Sequence, residues 1–291
     1  GTDTGGSIRI PASLTGTVGL KPTYGLVDRR GVVPLSWSFD QAGPMAKTVE
    51  DVSLLMEVMT GKKHHIDNVD AKRVRIGVPK EFFWDGLHTD EKRNLEGSLR
   101  VLEKIGFEVD DEVKVPHAAE ARSVLLFILL SEASTSYDSV LSDVVKRRKL
   151  GGDVLPRLDQ GRMVLATQYL KAQQLRRVYV SRILRDVFSK YDALVTPTTL
   201  IPAPAIDERE FFLGREKIDV STALTKCTAI FNLTGFPAIA IPNGFTTSGL
   251  PTGMQLASRP YSENLILQVA RSYESRTRWH ERRKTELRTS I

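Results

Sequence analysis

The sequence is short of cysteine, of long apolar runs and of the motifs that hold metals or nucleotides. Cys227 is the single cysteine in 291 residues. One thiol cannot form an internal disulfide, so a disulfide-stapled scaffold is excluded and a reducing, cytoplasmic setting is expected. Its neighbours Lys226, Thr228 and Ala229 form no nucleophile motif, and it reads as a small buried hydrophobe. A membrane span needs about 18 uninterrupted apolar residues. The longest apolar run here, Val124 to Leu130, is of core length, so no membrane partner is expected. No signal peptide opens the chain. No methionine does either: the chain starts at Gly1, inside its richest motif, and a trimmed or partial chain is the expectation.

What is present describes a globular α/β protein. Hydrophobic residues make up 41% of the chain and charged residues 26%, enough to bury a large core. The net charge of +6 is modest for this length. The basic run Lys146-Arg147-Arg148-Lys149 has no interleaved aromatic residues, so it reads as a solvated helix end and no nucleic-acid partner is expected.

Gly1 to about Pro44 is rich in glycine, proline and β-branched residues and reads as loops and short strands. A helix should follow, capped by Thr48, carrying Val52, Leu55 and Met59 on one face and ending at Gly61. Alternation at Val74, Ile76 and Val78 predicts a strand. A helix from about Asp90 to Ile105, capped by Thr89, and a strand at Phe107-Glu108-Val109 complete a parallel β-α-β pattern. The stretch from about 117 to 191 is mainly helical and is read as a subdomain; within it, Arg162 to Lys190 contains no proline or glycine. Strands are expected at Ala193–Pro197, Ala238–Pro242 and Met254–Ala257, and a closing helix from about Ser262 to Trp279. One domain over 1–291 is the economical reading.

The chemistry concentrates in Gly1-Thr2-Asp3-Thr4-Gly5-Gly6-Ser7-Ile8-Arg9-Ile10-Pro11-Ala12. Paired glycines let main-chain N–H groups converge and a substrate approach closely. Such a nest holds an anion or a developing oxyanion, and a serine at its end could attack a carbonyl whose oxygen sits there. Other serine and glycine motifs fail. No lysine precedes Ser7 as a P-loop requires. Arg9 stands where a nucleophile elbow needs glycine, and Ile10 where a Ser-x-x-Lys pair needs lysine. The histidines His64, His65, His88, His117 and His280 sit in polar or element-edge settings without a triad motif. No carboxylate–histidine constellation has metal-ligand spacing, so neither a metal nor a cofactor is expected.

With these residues in view, the chain resembles the amidase signature family. The block from Gly1 to Ala12 carries the resemblance, with Gly16-Thr17-Val18-Gly19-Leu20-Lys21-Pro22-Thr23, Ser38-Phe39-Asp40-Gln41-Ala42-Gly43-Pro44-Met45, Asn232-Leu233-Thr234-Gly235-Phe236-Pro237 and Gly249-Leu250-Pro251-Thr252-Gly253-Met254-Gln255-Leu256, all in family order. The resemblance implies a mixed β-sheet flanked by helices, incomplete at the N-terminus. It implies a small-molecule amide as substrate, Ser7 as nucleophile, and an oxyanion hole from the N–H groups of Thr4, Gly5, Gly6 and Ser7. Asp3 and Arg9 would hold the loop in shape. A homodimer is an assembly it allows. The family's catalytic lysine and cis-serine fall upstream of Gly1, and Lys21 belongs to a different, structural block. The expectation is therefore little amidase activity from this stretch alone, with sheet edges and apolar surface left uncovered. The glutaminase component of the tRNA-dependent amidotransferase is the alternative, as is a non-catalytic relative of the same fold. The glutamine-holding aspartate of that component would fall near Thr225, and Asp219 lies too early, which weighs against the first.

Overall fold

The computed structural model describes residues 1–67, 69–213 and 216–281. The expected domain over 1–291 therefore runs into residues 282–291, which lie outside the described residues. The first element corrects the reading of Gly1 to Pro44 as loops and strands, because a helix, α1 (Arg9–Thr15), follows Ser7 almost at once. Its early amides are satisfied from Asp3, whose carboxylate accepts the N–H groups of Ile8 and Arg9. Pro11 falls in the first turn, where a missing N–H costs nothing. Gly16 ends the helix at φ 68°.

Strands β1 (Val18–Lys21) and β2 (Met45–Ala46) come next. The helix α2 (Val49–Thr60) is capped by Thr48, whose side chain accepts the Asp51 N–H, and is ended by Gly61. Its buried face differs from the expected one. Val49, Val52 and Met56 are buried, whereas Leu55, with Leu54 and Val58, faces solvent. The β-α-β pattern is β3 (Arg75–Gly77), α3 (Thr89–Ile105) and β4 (Glu108–Asp110), with β3 and β4 parallel. His88, not Thr89, caps α3 by accepting the Asp90 N–H at Nδ1.

The helical stretch comprises α4 (Ala118–Ser136), the short α5 (Asp138–Leu141) and α6 (Val144–Arg147), then α7 (Leu155–Arg162) and α8 (Ala166–Asp186). The expected continuous helix from Arg162 is interrupted, and α8 begins where Gln168 Oε1 accepts the Leu165 N–H. Glycine at 161 lets α7 lie against α4, since a Cβ there would stand 2.0 Å from the Leu130 carbonyl oxygen. The basic run ends α6, and Arg147 spends its guanidinium on Asp159 at 2.9 and 2.7 Å.

The chain then forms β5 (Ala193–Pro197), a hairpin of β6 (Glu210–Leu213) and β7 (Glu216–Asp219), and helices α9 (Val220–Thr225) and α10 (Ala229–Thr234). It closes with β8 (Ala238–Phe245), β9 (Pro251–Ala257) and α11 (Glu263–Thr277). The seven-stranded sheet has the order β2-β1-β8-β9-β5-β3-β4. It is mixed, as expected: β3 runs parallel to β4 and β5, and the remaining pairs are antiparallel. Alternation along the strands divides the core between the two faces. Ile239, Ile241, Met254 and Leu256 pack with Val52, Leu102, Ile266 and Tyr273, from α2, α3 and α11. Ala238 and Ala257 face the other cluster, with Ile128, Ile183 and Phe231 of α4, α8 and α10. Gln255 lies on this second side. Among the described residues no helix is long and apolar enough to cross a membrane.

Candidate active site

The Ser7 loop rests on a fully buried ion pair. Asp3 Oδ2 lies 3.1 Å from Arg9 Nε, and neither side chain is exposed. Burial would raise the Asp3 pKa, but the charge and hydrogen bonds of Arg9, with the bond from Asn232, overcome it and hold the carboxyl at about 2. Arg9 also donates to Gln255 Oε1 at 2.9 Å, to Asn232 Oδ1 at 2.6 Å and to the Thr228 carbonyl at 3.4 Å. Asn232 Nδ2 returns a bond to Asp3 Oδ1 at 2.7 Å. Gln255 Nε2 donates in turn to the Cys227 and Pro197 carbonyls. The loop is thus tied to β9, β5 and α10 by charged and neutral hydrogen bonds in a dry environment, where each bond is strong and each loss costly.

Above this base, Thr4 and Gly6 are buried, Gly5 is half-buried and Ser7 is exposed. Gly6 adopts φ 127°, and a Cβ there would stand 2.6 Å from both Ile10 Cδ1 and Thr228 Oγ1. Only glycine fits that backbone and that space. Gly5 is the opposite case: a Cβ there would meet nothing within 4 Å, so open space lies over it. Thr228 Oγ1 donates to the Gly5 carbonyl at 2.7 Å and orients the peptide. Among the described residues, the N–H groups of Thr4, Gly5 and Ser7 have no acceptor, and the Ser7 hydroxyl has no partner. The Gly6 N–H is different. It donates to Asp3 Oδ1 at 2.8 Å, so it is already committed.

On the other side, Thr4 Oγ1 donates to Asp40 Oδ1 at 2.7 Å, and Asp40 Oδ2 accepts the Leu35 and Ser36 N–H groups. Ser36 and Ser38 both bond the buried Glu132 of α4, which also accepts the Tyr169 hydroxyl of α8. Arg176 donates to the Ser38 and Leu233 carbonyls and lies 4.9 Å from the centre of the Phe39 ring. Helices α4 and α8 therefore fix the segment that flanks the nest.

No candidate base touches Ser7 among the described residues. Lys21 is fully buried and donates to the Pro22 carbonyl at 2.8 Å. Burial, then the like charge of Arg9, bring its pKa down to about 7 against the opposing pull of Asp3 and Glu263. His64 pairs with Asn264, His88 caps α3, and His117 stacks on Tyr179 with ring centres 4.2 Å apart. Cys227 is buried, and burial pushes its thiol up to about 12, which makes it inert as a nucleophile. Asp219 caps α9 through the Thr222 N–H, and the Thr225 hydroxyl accepts from Arg122. Sequence reasoning did not single out Asn232, Thr228 or Gln255 as site residues. The signal available was a glutamine inside an apolar strand between Met254 and Leu256, and an asparagine inside the apolar run Ile230 to Leu233.

The profile of the family described as Amidase matches residues 1–267. The chain belongs to the amidase family. It is 38% identical to a glutamyl-tRNA(Gln) amidotransferase component of Symbiobacterium thermophilum over 325 aligned residues, covering 97% of this chain and 64% of that protein. It is 35% identical to an amidase of Pseudomonas putida, covering 97% of this chain and 63% of that one. A crystal structure of an amidase superposes with a TM-score of 0.88 at 29% identity, over 95% of this chain and 62% of the other. The corresponding glutamyl-tRNA(Gln) amidotransferase component of Thermotoga maritima gives 0.73 at 33% identity, over 94% and 61%. This amidase-family chain thus spans about 64% of the length of the first curated relatives it matches.

Proposed function

We propose that the protein is an amide hydrolase in which Ser7 attacks the substrate carbonyl, the C–N bond breaks as the amine leaves with the proton given up by the serine hydroxyl, and water then cleaves the acyl-enzyme to the carboxylic acid and free Ser7. One observation carries the reading. Among the described residues, an exposed serine hydroxyl without a partner adjoins main-chain N–H groups at Thr4, Gly5 and Ser7 that also lack acceptors, on a loop fixed from beneath by Asp3 and Arg9. Unspent donors held rigidly around a reacting centre stabilise an oxyanion without reorganising as charge develops. Gly6 was expected to contribute its N–H as well; its bond to Asp3 supports a part in shaping the loop instead. The open space around the Cβ position of Gly5 supports access to these N–H groups. Attack also needs a base for the Ser7 proton, since a neutral hydroxyl is a weak nucleophile. The substrate is a small-molecule amide. The single buried cysteine suits a reducing cytoplasm.

A second reading, release of ammonia from glutamine as the glutaminase component of an amidotransferase, is favoured by the 38% identity to a protein of that complex. Assays on the protein expressed from its complete coding sequence separate the two. Hydrolysis of simple amides abolished by Ser7→Ala supports the amidase reading. Ser7-dependent turnover confined to glutamine supports the second. Turnover of simple amides unaffected by Ser7→Ala contradicts both.

A further inference from the structure

A groove of about 440 Å³ opens beside the Ser7 loop, between residues 25 and 40. Asp40 joins the two: it lines the groove and its Oδ1 accepts the Thr4 hydroxyl. The charged residues of the groove are already matched. Arg30 pairs with Asp28. Arg29 donates to the Trp37 and Asp40 carbonyls and to the Tyr24 hydroxyl. The Asp40 carboxylate is filled by Thr4, Leu35 and Ser36. Two arginines and two aspartates leave no net charge to attract an ionised ligand. The surface left without partners is apolar: Val32, Pro34 and Trp37.

Trp37 is the largest of these, and its backbone is rigidly placed. Ser36 and Ser38, on either side, send their hydroxyls to the buried Glu132. The Trp37 carbonyl accepts the Tyr24 hydroxyl at 2.6 Å and Arg29 at 2.9 Å. With both neighbours drawn inward, the indole stands at the groove and stays 44% exposed. A large aromatic side chain left half in water, on a backbone this firmly tied, is a pre-organised surface for a flat apolar group.

We infer that this groove binds a neutral aromatic group of the amide substrate, with the Trp37 indole as its wall. The inference rests on the Ser7 reading for the orientation of the scissile bond. The groove favours a substrate whose carbonyl reaches the nest while its ring packs on Trp37, Val32 and Pro34. An ionised substituent on the ring would be left without a partner and is disfavoured.

The test uses ligand-observed and protein-observed NMR with benzamide, and with acetamide as the ringless counterpart. Benzamide is expected to bind more tightly than acetamide and to show intermolecular contacts to the Trp37 indole and the Val32 methyls. Trp37→Ala should weaken benzamide about tenfold while Trp37→Phe stays within about threefold, because the aromatic surface is kept. The contacts in the unsubstituted protein need no variant, so they decide the matter if Trp37→Ala folds poorly. Benzamide held elsewhere, equal binding of acetamide, or Trp37→Ala without effect would each overturn the inference. Labelling of Ser7 by a fluorophosphonate is read separately. Its failure with the Trp37 contacts intact removes the catalytic reading and leaves the binding site. Labelling without those contacts removes only the inference.

Discussion

Replacing Asp3 by asparagine tests how the Ser7 loop is held. The change keeps size and shape but strips the charge that faces Arg9 in a site with no solvent. Removing one partner of a buried pair costs about 3–5 kcal/mol, because the other charge stays buried and unpaired. Arg9 would keep Gln255, Asn232 and the Thr228 carbonyl as acceptors. The lower end of the range, about 3 kcal/mol, is therefore expected. The lowered pKa gives an independent figure: a fall from 3.8 to about 2 corresponds to roughly 2 kcal/mol of stability from this group. That contribution is complete above pH about 4 and is lost as pH falls through about 2, because the unfolded carboxyl takes up a proton first. At 291 residues, 1 kcal/mol moves the thermal midpoint by roughly 2 °C, so Asp3→Asn should lower it by about 6 °C at pH 7. Urea unfolding should agree, and the double substitution with Arg9→Met should cost less than the sum of the single ones. A midpoint shift below about 2 °C for Asp3→Asn would refute the reasoning.

Other expectations follow from the same contacts. Ser7→Ala should change stability by less than about 0.5 kcal/mol, because the hydroxyl has no partner among the described residues; chemical denaturation checks this. Lys21 should make stability rise with pH. Its folded pKa of about 7 lies below the ordinary 10.5, so the unfolded chain binds the extra proton and folding gains between pH about 7 and about 10. Lys21→Met should flatten that rise in a pH series of unfolding curves. Gly161→Ala should cost about 2–3 kcal/mol, because its Cβ would sit 2.0 Å from the Leu130 carbonyl oxygen of a packed helix. Gly5→Ala should leave stability nearly unchanged yet impair turnover of bulky amides, since its Cβ would occupy only open space over the nest.

Elements whose signal lies in neighbouring residues were legible from the sequence. Thr48 and Gly61 bounded α2, alternation placed β3, and short apolar segments of strand character placed β5, β8 and β9. The α1 helix was not legible, because the group that satisfies its first amides is Asp3, which lies before the glycines and reads as a turn residue. The buried face of α2 was rotated, because period alone does not say that α11 packs over Val52 rather than Leu55. The β6–β7 pair was missed: Glu210, Lys217 and Asp219 interrupt its apolar alternation, and among the described residues its strands pair with each other alone. Within the site, the Ser7 motif was local and readable. Asn232 and Gln255 lie more than 200 residues away in sequence from the arginine they hold, and only the fold brings them together. The commitment of the Gly6 N–H to Asp3 is likewise a matter of main-chain direction, not of composition.

Fluorophosphonate labelling of the protein expressed from its complete coding sequence, followed by peptide mapping, tests the central claim most directly. The account predicts one adduct, on Ser7, absent from Ser7→Ala. An adduct on another residue, or one of equal yield in Ser7→Ala, would contradict it.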